Sequence, residues 1–359
     1  MKRFHQLSAL ALLLLAGSAS LSAQQSVTPV DHVSTLVGSA SIFSLSTGNT
    51  YPAIALPWGM NFWVPQTGKM GDGWQYTYDA NQIRGFKQTH QPSPWINDYG
   101  QFAIMPTVGK VDFDENRRAS WFSHKAETAS PYYYKVYLAD YDVTTEITPT
   151  ERAVLFRLPF PATDSANILI DAFDHGSSIT IQPEKRRIVG YTTRNSGGVP
   201  DQFKNYFVLE FDRPFTVSHV GSVDADYHFV ASDDDCATAH AVAAVSFATK
   251  RGEQVGVRVA SSFVSADQAL ENLKELGDAD FDRLRQQGRD RWNDVLGRIE
   301  VSDANTDHLR TLYSNLYRCV LYSSKSTPKA TPSTIVHTMA RCSPGPCSRI
   351  RASGTRSAR

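Results

Sequence analysis

Cysteine is scarce in this 359-residue chain: there are four, and only Cys236 and Cys319 lie in the main body. A chain so poor in cysteine is not a disulfide scaffold, and with no Cys-x-x-Cys pair or clustered Cys/His spacing it carries no structural-zinc signature. Its stability must come from a hydrophobic core, which a chain of this length can build. Long apolar runs are missing too: the run at residues 7–16 falls short of the about 20 residues a bilayer-crossing helix needs. There is no Gly-x-Ser-x-Gly nucleophile elbow and no phosphate loop. Net charge is zero, but unevenly so. Residues 323–359 hold seven Lys and Arg and no acid, which leaves residues 24–322 with 27 basic side chains against 36 acidic ones. An acidic body argues against nucleic acid as the partner.

The first residues carry a different message. Lys2, Arg3 and His5 precede the apolar run, and small residues follow it to Ala23. This is the pattern of a secretory signal over residues 1–23, cleaved between residues 19 and 23, and it implies a periplasmic or secreted protein. No cysteine sits there to carry a lipid anchor. The stretch at residues 48–106 is the densest in information. It holds four of the six tryptophans (Trp58, Trp63, Trp74 and Trp95) among Gly, Pro, Asn, Gln and His. A packed core does not require that mixture. Aromatic rings cover the C–H faces of a sugar while amides, hydroxyls and carboxylates pair with its hydroxyls.

The rest of the chain supports a mainly β fold. Residues 27–45 read as short strands or an extended entry segment, and residues 74–78 alternate as a strand does. From residue 109 to 263, runs of Val, Ile, Thr and aromatics alternate with turns such as Asp174-His175-Gly176 and Ser196-Gly197-Gly198. Many closely spaced strands with no helical period between them predict a large β-sandwich over residues 24–263. At Ser265 the period changes. Helices are expected from Ser265, with Leu270, Leu273 and Leu276 on one face, and over 279–296, with a short strand at 298–301. They make a helical linker over 264–302. A third helix at 306–322 buries Leu309, Leu312, Leu316 and Val320. Residues 323–359 then lose all Phe, Trp and Tyr. They read either as a disordered basic tail or as translation out of the normal frame.

Several of these stretches resemble glycoside hydrolase family 92, the calcium-dependent exo-acting alpha-mannosidases. Gly48-Asn49-Thr50-Tyr51-Pro52, followed by Pro57-Trp58-Gly59-Met60, is similar to the family's Gly-His-Thr-Phe-Pro-Gly and Pro-Phe-Gly-Met, with Asn49 and Tyr51 in place of His and Phe. Gly73-Trp74-Gln75-Tyr76 leading to Gly85-Phe86-Lys87-Gln88-Thr89-His90 looks like its Gly-Tyr-x-Tyr and Gly-Phe-Ser-His-Thr-His. Asp98-Tyr99-Gly100 and the segment from Leu312 to Cys319 extend the likeness to roughly residues 30–322. The resemblance implies a sandwich, linking helices and an (α/α)6 barrel that is truncated here, with residues 303–322 as the barrel's first helix. It implies hydrolysis of terminal mannose from glycans with inversion, and a Ca²⁺ at the sugar hydroxyls. The family's acid, base and most calcium ligands lie in the barrel, so no catalytic residue is assigned and this chain is expected to be inactive by itself. The alternative is a non-catalytic carbohydrate-binding sandwich.

The substrate-binding candidates are Asn49, Thr50, Trp74, His90, Gln91, Trp95 and Asp98. All but Gln91 have a plainer reading: a turn for Asn49 and Thr50, core packing for Trp74, ordinary hydrogen bonding for His90, packing on a neighbour for Trp95, and a turn cap for Asp98. Asp72, Asp171, Asp174 and the run Asp233-Asp234-Asp235 invite a metal reading. The triple Asp, however, lacks the spaced oxygens and Gly of a calcium loop and reads as a solvated turn.

Overall fold

The computed structural model describes residues 27–40, 50–60, 62–71, 74–90, 97–197, 199–200 and 202–321. Two antiparallel sheets dominate, as the strand rhythm predicts. One runs from edge to edge as Phe62–Gln66, Gly85–Thr89, Phe102–Val108, Thr163–Asp171, Ala241–Thr249, Val217–Val223 and Phe229–Ser232. The other runs Asp235–Thr238, Ser177–Gln182, Arg187–Thr192, Asn205–Phe211, Glu253–Ser262, Ala153–Phe160, Val143–Pro149, Tyr133–Leu138 and Thr128–Ser130. A small ladder of Gln82–Ile83 with Ser120–Trp121 stands apart from both. The core between the sheets joins residues such as Phe86, Phe102, Ile104, Phe156, Ile168, Phe207 and Val257, all fully buried. Trp63 packs edge-on to Phe102 and Phe156, at centroid distances of 5.5 and 5.2 Å, a geometry the ring quadrupoles favour.

Three helices follow: α1 (Ala266–Leu273), α2 (Phe281–Leu296) and α3 (Thr306–Leu321). Ser265 and Asp280 cap the first two, each side chain accepting a first-turn amide. The helices are fixed to the sandwich by specific bonds. Trp292 Nε1 donates to the Ala55 carbonyl at 2.9 Å, and the Tyr317 hydroxyl donates to the Ala53 carbonyl at 2.7 Å. Arg152 pairs with Glu275 just beyond α1, and both are buried. Among the described residues no helix is long and apolar enough to cross a membrane.

Several local expectations are corrected. The described part of the entry segment holds no strand; Pro29–His32 is a 3-10 turn, with Pro at its start and reciprocal Thr28–Asp31 capping. Residues 74–78 do not form a strand either. The Gln75 carbonyl accepts from Thr67 N at 3.0 Å, Thr77 N donates to Thr67 Oγ1, and Tyr78 N donates to Ser39 O, so the backbone groups are satisfied without a ladder. Residues 298–301 form no strand; Arg298 N and Ile299 N bond back to Val295 O and Leu296 O at the end of α2. The first helix is shorter than its leucine pattern suggests: Lys274–Leu276 is 3-10, and Gly277 in a positive-φ conformation ends it. α3 is rotated from its expected face. Tyr313, Ser314, Tyr317 and Leu321 are buried, Tyr313 and Ser314 against the entry segment and Tyr317 against Ala53 and Trp292, whereas Leu309, Leu312, Leu316 and Val320 are only partly covered. Hydrogen-bonding tyrosines won that face over leucines because the surface they meet offers backbone carbonyls. Phe229–Ser232 and Asp235–Thr238 belong to different sheets. The exposed bend at Asp233 and Asp234 carries the chain from one sheet to the other.

Candidate functional site

Strand Gly85–Thr89 is buried at every residue and pairs with Phe102–Val108, which places Gln88 opposite Phe102. Asp98 lies between the two strands in sequence and beside the end of the first. Its buried carboxylate accepts four bonds. Oδ1 takes the amides of His90 and Tyr99, both at 2.8 Å; Oδ2 takes the Thr89 hydroxyl at 2.6 Å and Gln75 Nε2 at 3.1 Å. Four donors offset the cost of removing a carboxylate from water, with no cation needed. The backbone is held as well: Asp98 N donates to Ser196 Oγ at 2.9 Å, Ser196 N to Asp98 O at 2.8 Å, and Gly100 N to Arg194 O at 2.7 Å.

Gly100 is required here. Its φ is +68°, and a Cβ would lie 2.7 Å from Asn205 Cβ. Asn205 uses that closeness. Its Nδ2 donates to the Gly100 carbonyl at 2.7 Å and to Gln88 Oε1 at 3.0 Å, and Gln88 Nε2 reaches Ser261 Oγ at 2.9 Å. The chain of amides thus ties the loop across the sandwich to the strand that leads into α1.

His90 is the chemically distinctive group. Its Nδ1 lies 2.6 Å from the Tyr99 carbonyl; a carbonyl only accepts, so Nδ1 carries the proton. The ring stacks on Tyr99 at 5.0 Å and meets Phe263 edge-on. Burial pushes the His90 pKa below its usual value, against the opposing pull of Asp98 and the Tyr99 carbonyl. The imidazole is therefore neutral near pH 7, and Nε2 presents a lone pair. That atom is buried and has no hydrogen-bond partner among the described residues. An acceptor held this way suits a hydroxyl donor. Tyr51 borders the same cluster. Its phenol interacts with Thr89, and burial, then the Asp98 charge, push its pKa well above the usual range.

Of the sequence candidates, His90 and Asp98 are brought together. Trp74 is half-buried, next in sequence to Gln75, whose amide reaches Asp98. Thr50 turns elsewhere, its hydroxyl donating to Val37 O at 2.8 Å. Asn49, Gln91 and Trp95 lie outside the described residues, as does Asp72. Sequence reading missed Gln75, Thr89, Tyr99 and Asn205; the long separation of Asn205 from the motif left no local signal. Neighbouring backbone is strained. Phe173 and His175 have φ of +60° and +75°, and their turn is bound to the 193–196 segment by Thr193 Oγ1 donating to His175 O at 2.6 Å and by the Arg194–Asp174 ion pair.

The acidic candidates have other duties. Asp171 is buried between Arg118 and His240, each 2.7 Å away; burial alone would raise its pKa, but these two partners hold it well below the carboxylate range. Asp174 pairs with Arg194, and Asp233 and Asp234 are solvated as expected. Among the described residues, one grouping has metal-ligand character: Asp224, Asp226 and His228, all exposed. Asp224 already accepts from the amides of Asp226 and His228 and pairs with the His228 ring. Two carboxylates and an imidazole do not supply the six to eight oxygens Ca²⁺ takes, so this grouping does not fit calcium.

Comparison with known proteins gives a consistent picture. The Glycosyl hydrolase family 92 N-terminal domain matches residues 32–262, and the Glycosyl hydrolase family 92 catalytic domain matches residues 268–338. Among solved structures, a family GH92 inverting mannosidase from Bacteroides thetaiotaomicron is 44% identical, with a TM-score of 0.79, over 84% of this chain and 40% of its own. A second GH92 alpha-mannosidase from the same organism is 28% identical, with a TM-score of 0.75, over 85% of this chain and 42% of its own. It has also been solved in complex with mannoimidazole, where 83% of this chain and 40% of that one superpose at 28% identity and a TM-score of 0.73. No curated protein matches. The chain thus spans about two fifths of the length of the solved mannosidases it resembles.

Proposed function

Because the chain belongs to glycosyl hydrolase family 92, we propose that it is the sandwich-bearing part of an exported alpha-mannosidase that removes terminal mannose from glycans with inversion. The observation that carries this reading is 44% identity to an inverting mannosidase across 84% of the chain, sandwich and helices together. The Asp98 cluster supplies one wall of the sugar pocket in this proposal, with His90 Nε2 accepting from a mannose hydroxyl. Inverting hydrolysis needs a general acid for the leaving oxygen and a base for water, with room between them for that water. We assign neither to the described residues, and we place the calcium outside the sandwich, since the Asp224 grouping does not fit it. The 359 residues alone are then expected to bind mannose-bearing glycan but not to cleave it. Export is supported by the basic, apolar and small-residue order of residues 2–23.

The test pairs two measurements on the 359-residue chain. Titration with a mannose oligosaccharide should show binding that His90→Ala weakens. An aryl mannoside with calcium should show no turnover above background; calcium-dependent turnover would overturn the division of labour proposed here. A purely carbohydrate-binding role is the second reading, favoured by the sandwich match, which takes up most of the chain. It would hold if a longer chain including the whole catalytic domain also failed to hydrolyse mannosides.

A further inference from the structure

The end of the sandwich away from Asp98 carries a second aromatic feature. Gln82–Ile83 pairs with Ser120–Trp121 just before strand Gly85–Thr89 begins, whereas His90 follows its end. The two features are thus separated by roughly 16 Å of strand, five residues at about 3.3 Å each. Trp121 is 49% exposed and Tyr137 is 39% exposed, both unusual for large aromatics. The segments that carry them are joined. Ala139 N donates to the Trp121 carbonyl at 2.9 Å, and Tyr137 lies two residues before Ala139 on a strand whose exposed positions are Lys135 and Tyr137. Among the described residues neither ring has an aromatic neighbour.

The backbone of Trp121 and the ring of Tyr137 are both fixed by hydrogen bonds. Trp121 N donates to Asp140 Oδ2 at 2.7 Å, and Asp140 N donates to Ser120 Oγ at 3.1 Å. The Tyr137 hydroxyl donates to Asp142 Oδ1 at 2.8 Å, and Asp142 holds a left-handed backbone, φ +53°, to reach it. One carboxylate thus fixes the backbone that carries Trp121 and another holds the Tyr137 ring itself, which lowers the entropy lost when something stacks on them. Half-buried Gln82 and exposed Lys135, Asp140 and Asp142 surround the rings.

We infer that Trp121 and Tyr137 form a second glycan-binding site, remote from the Asp98 cluster, where pyranose rings of a manno-oligosaccharide lie on the two aromatic faces. The polar surround accepts and donates to sugar hydroxyls, while the rings cover C–H faces. A second protein chain is the poorer occupant, because two rings set among charged side chains do not make the continuous apolar centre of a stable interface. The choice of sugar rests on the family reading; the existence of the site rests on two exposed rings carried on joined segments.

Isothermal titration of the 359-residue chain with a linear manno-oligosaccharide tests this, alongside Trp121→Ala, Tyr137→Ala and His90→Ala, with melting temperatures confirming the fold. Both surface variants should remove one class of binding or weaken it at least about tenfold, while His90→Ala leaves that class intact. Binding by Trp121→Ala and Tyr137→Ala equal to the parent's would overturn the inference and leave the Asp98 reading standing. No binding by the parent chain would also overturn it. Concentration-dependent self-association of the parent that Trp121→Ala abolishes, with no glycan binding, would assign the surface to a second copy instead. Loss of binding only in His90→Ala would support the Asp98 reading alone and refute the second site.

Discussion

His90 and Asp98 stand eight positions apart and are joined through the backbone: the His90 amide donates to Asp98 Oδ1 at 2.8 Å. That bond aims the imidazole of the one residue by the carboxylate of the other. Asp98 acts on the site as an anchor, with all four of its described bonds made to the chain itself. Asp98→Ala should therefore destabilise the fold strongly, by about 3–5 kcal/mol, because buried donors lose their acceptor at once. Asp98→Asn should cost less but still measurably, since an amide NH₂ then faces donors. Urea unfolding monitored by circular dichroism reads both, and a neutral Asp98→Ala would contradict the anchoring role.

The neutral state of His90 predicts a pH dependence of stability. Its folded pKa is lowered by burial below the unfolded value of 6.5. Above about pH 6.5 the imidazole is neutral in both states and costs nothing. As pH falls below that value the unfolded chain takes up a proton that the folded chain resists, so stability declines towards the folded pKa. Unfolding free energies of parent and His90→Gln compared between pH 8 and pH 5 should diverge on the acid side, with the parent losing more. Parallel curves would exclude a buried neutral His90.

Gly100→Ala tests the close approach of loop and strand. The new side chain meets Asn205 Cβ at 2.7 Å and must hold a φ of +68°. The conformational penalty alone is about 1–2 kcal/mol, and the contact adds to it. Asn205→Gly removes the obstacle and the Gly100 carbonyl's donor together. The double variant should therefore be less destabilised than the sum of the singles, as a double-mutant cycle would measure.

Tyr317→Phe isolates the docking of α3. The phenol's bond to the Ala53 carbonyl at 2.7 Å is lost while the ring stays. A cost of about 1 kcal/mol or somewhat more is expected, because the carbonyl is left buried. Trp292→Phe removes the matching bond to Ala55 on α2 and leaves a void as well, so it should cost more. Thermal unfolding of both variants gives the order.

Calcium removal should leave this chain's melting temperature unchanged, since the Asp224, Asp226 and His228 grouping does not fit the ion. Differential scanning calorimetry with excess chelator, then with added Ca²⁺, checks this. A rise of several degrees on adding Ca²⁺ would place a calcium site within the chain after all.

Much of this was legible before any coordinate. Alternating β-branched and aromatic residues read correctly as strands because a sheet with one face on the core imposes a period of two. The helix at α1 announced itself through Ser265, whose side chain caps a first turn wherever it forms, and α2 through the helical spacing of Phe281, Leu284, Trp292 and Leu296. The failures were of another kind. Residues 74–78 alternate without pairing, and nothing in their own sequence says that Thr67 and Ser39 will take their backbone bonds. The α3 face was misjudged because a leucine stripe signals burial only against an apolar partner, whereas this partner offers the carbonyls of Ala53 and Tyr51 to Tyr317 and Arg318.

The site divides along the same line. Sequence by itself determined that residues 48–106 gather tryptophans, amides, His and Asp, and that His90 and Asp98 flank one proline-bearing segment. Local order and residue type carry that much. Only the tertiary structure decided that Asp98 is an anchor, that Asn205 pins Gly100 from 105 residues away, and that His90 keeps Nε2 unprotonated. Hydrogen-bond partners and desolvation are properties of what surrounds a side chain, and those surroundings come from distant parts of the chain.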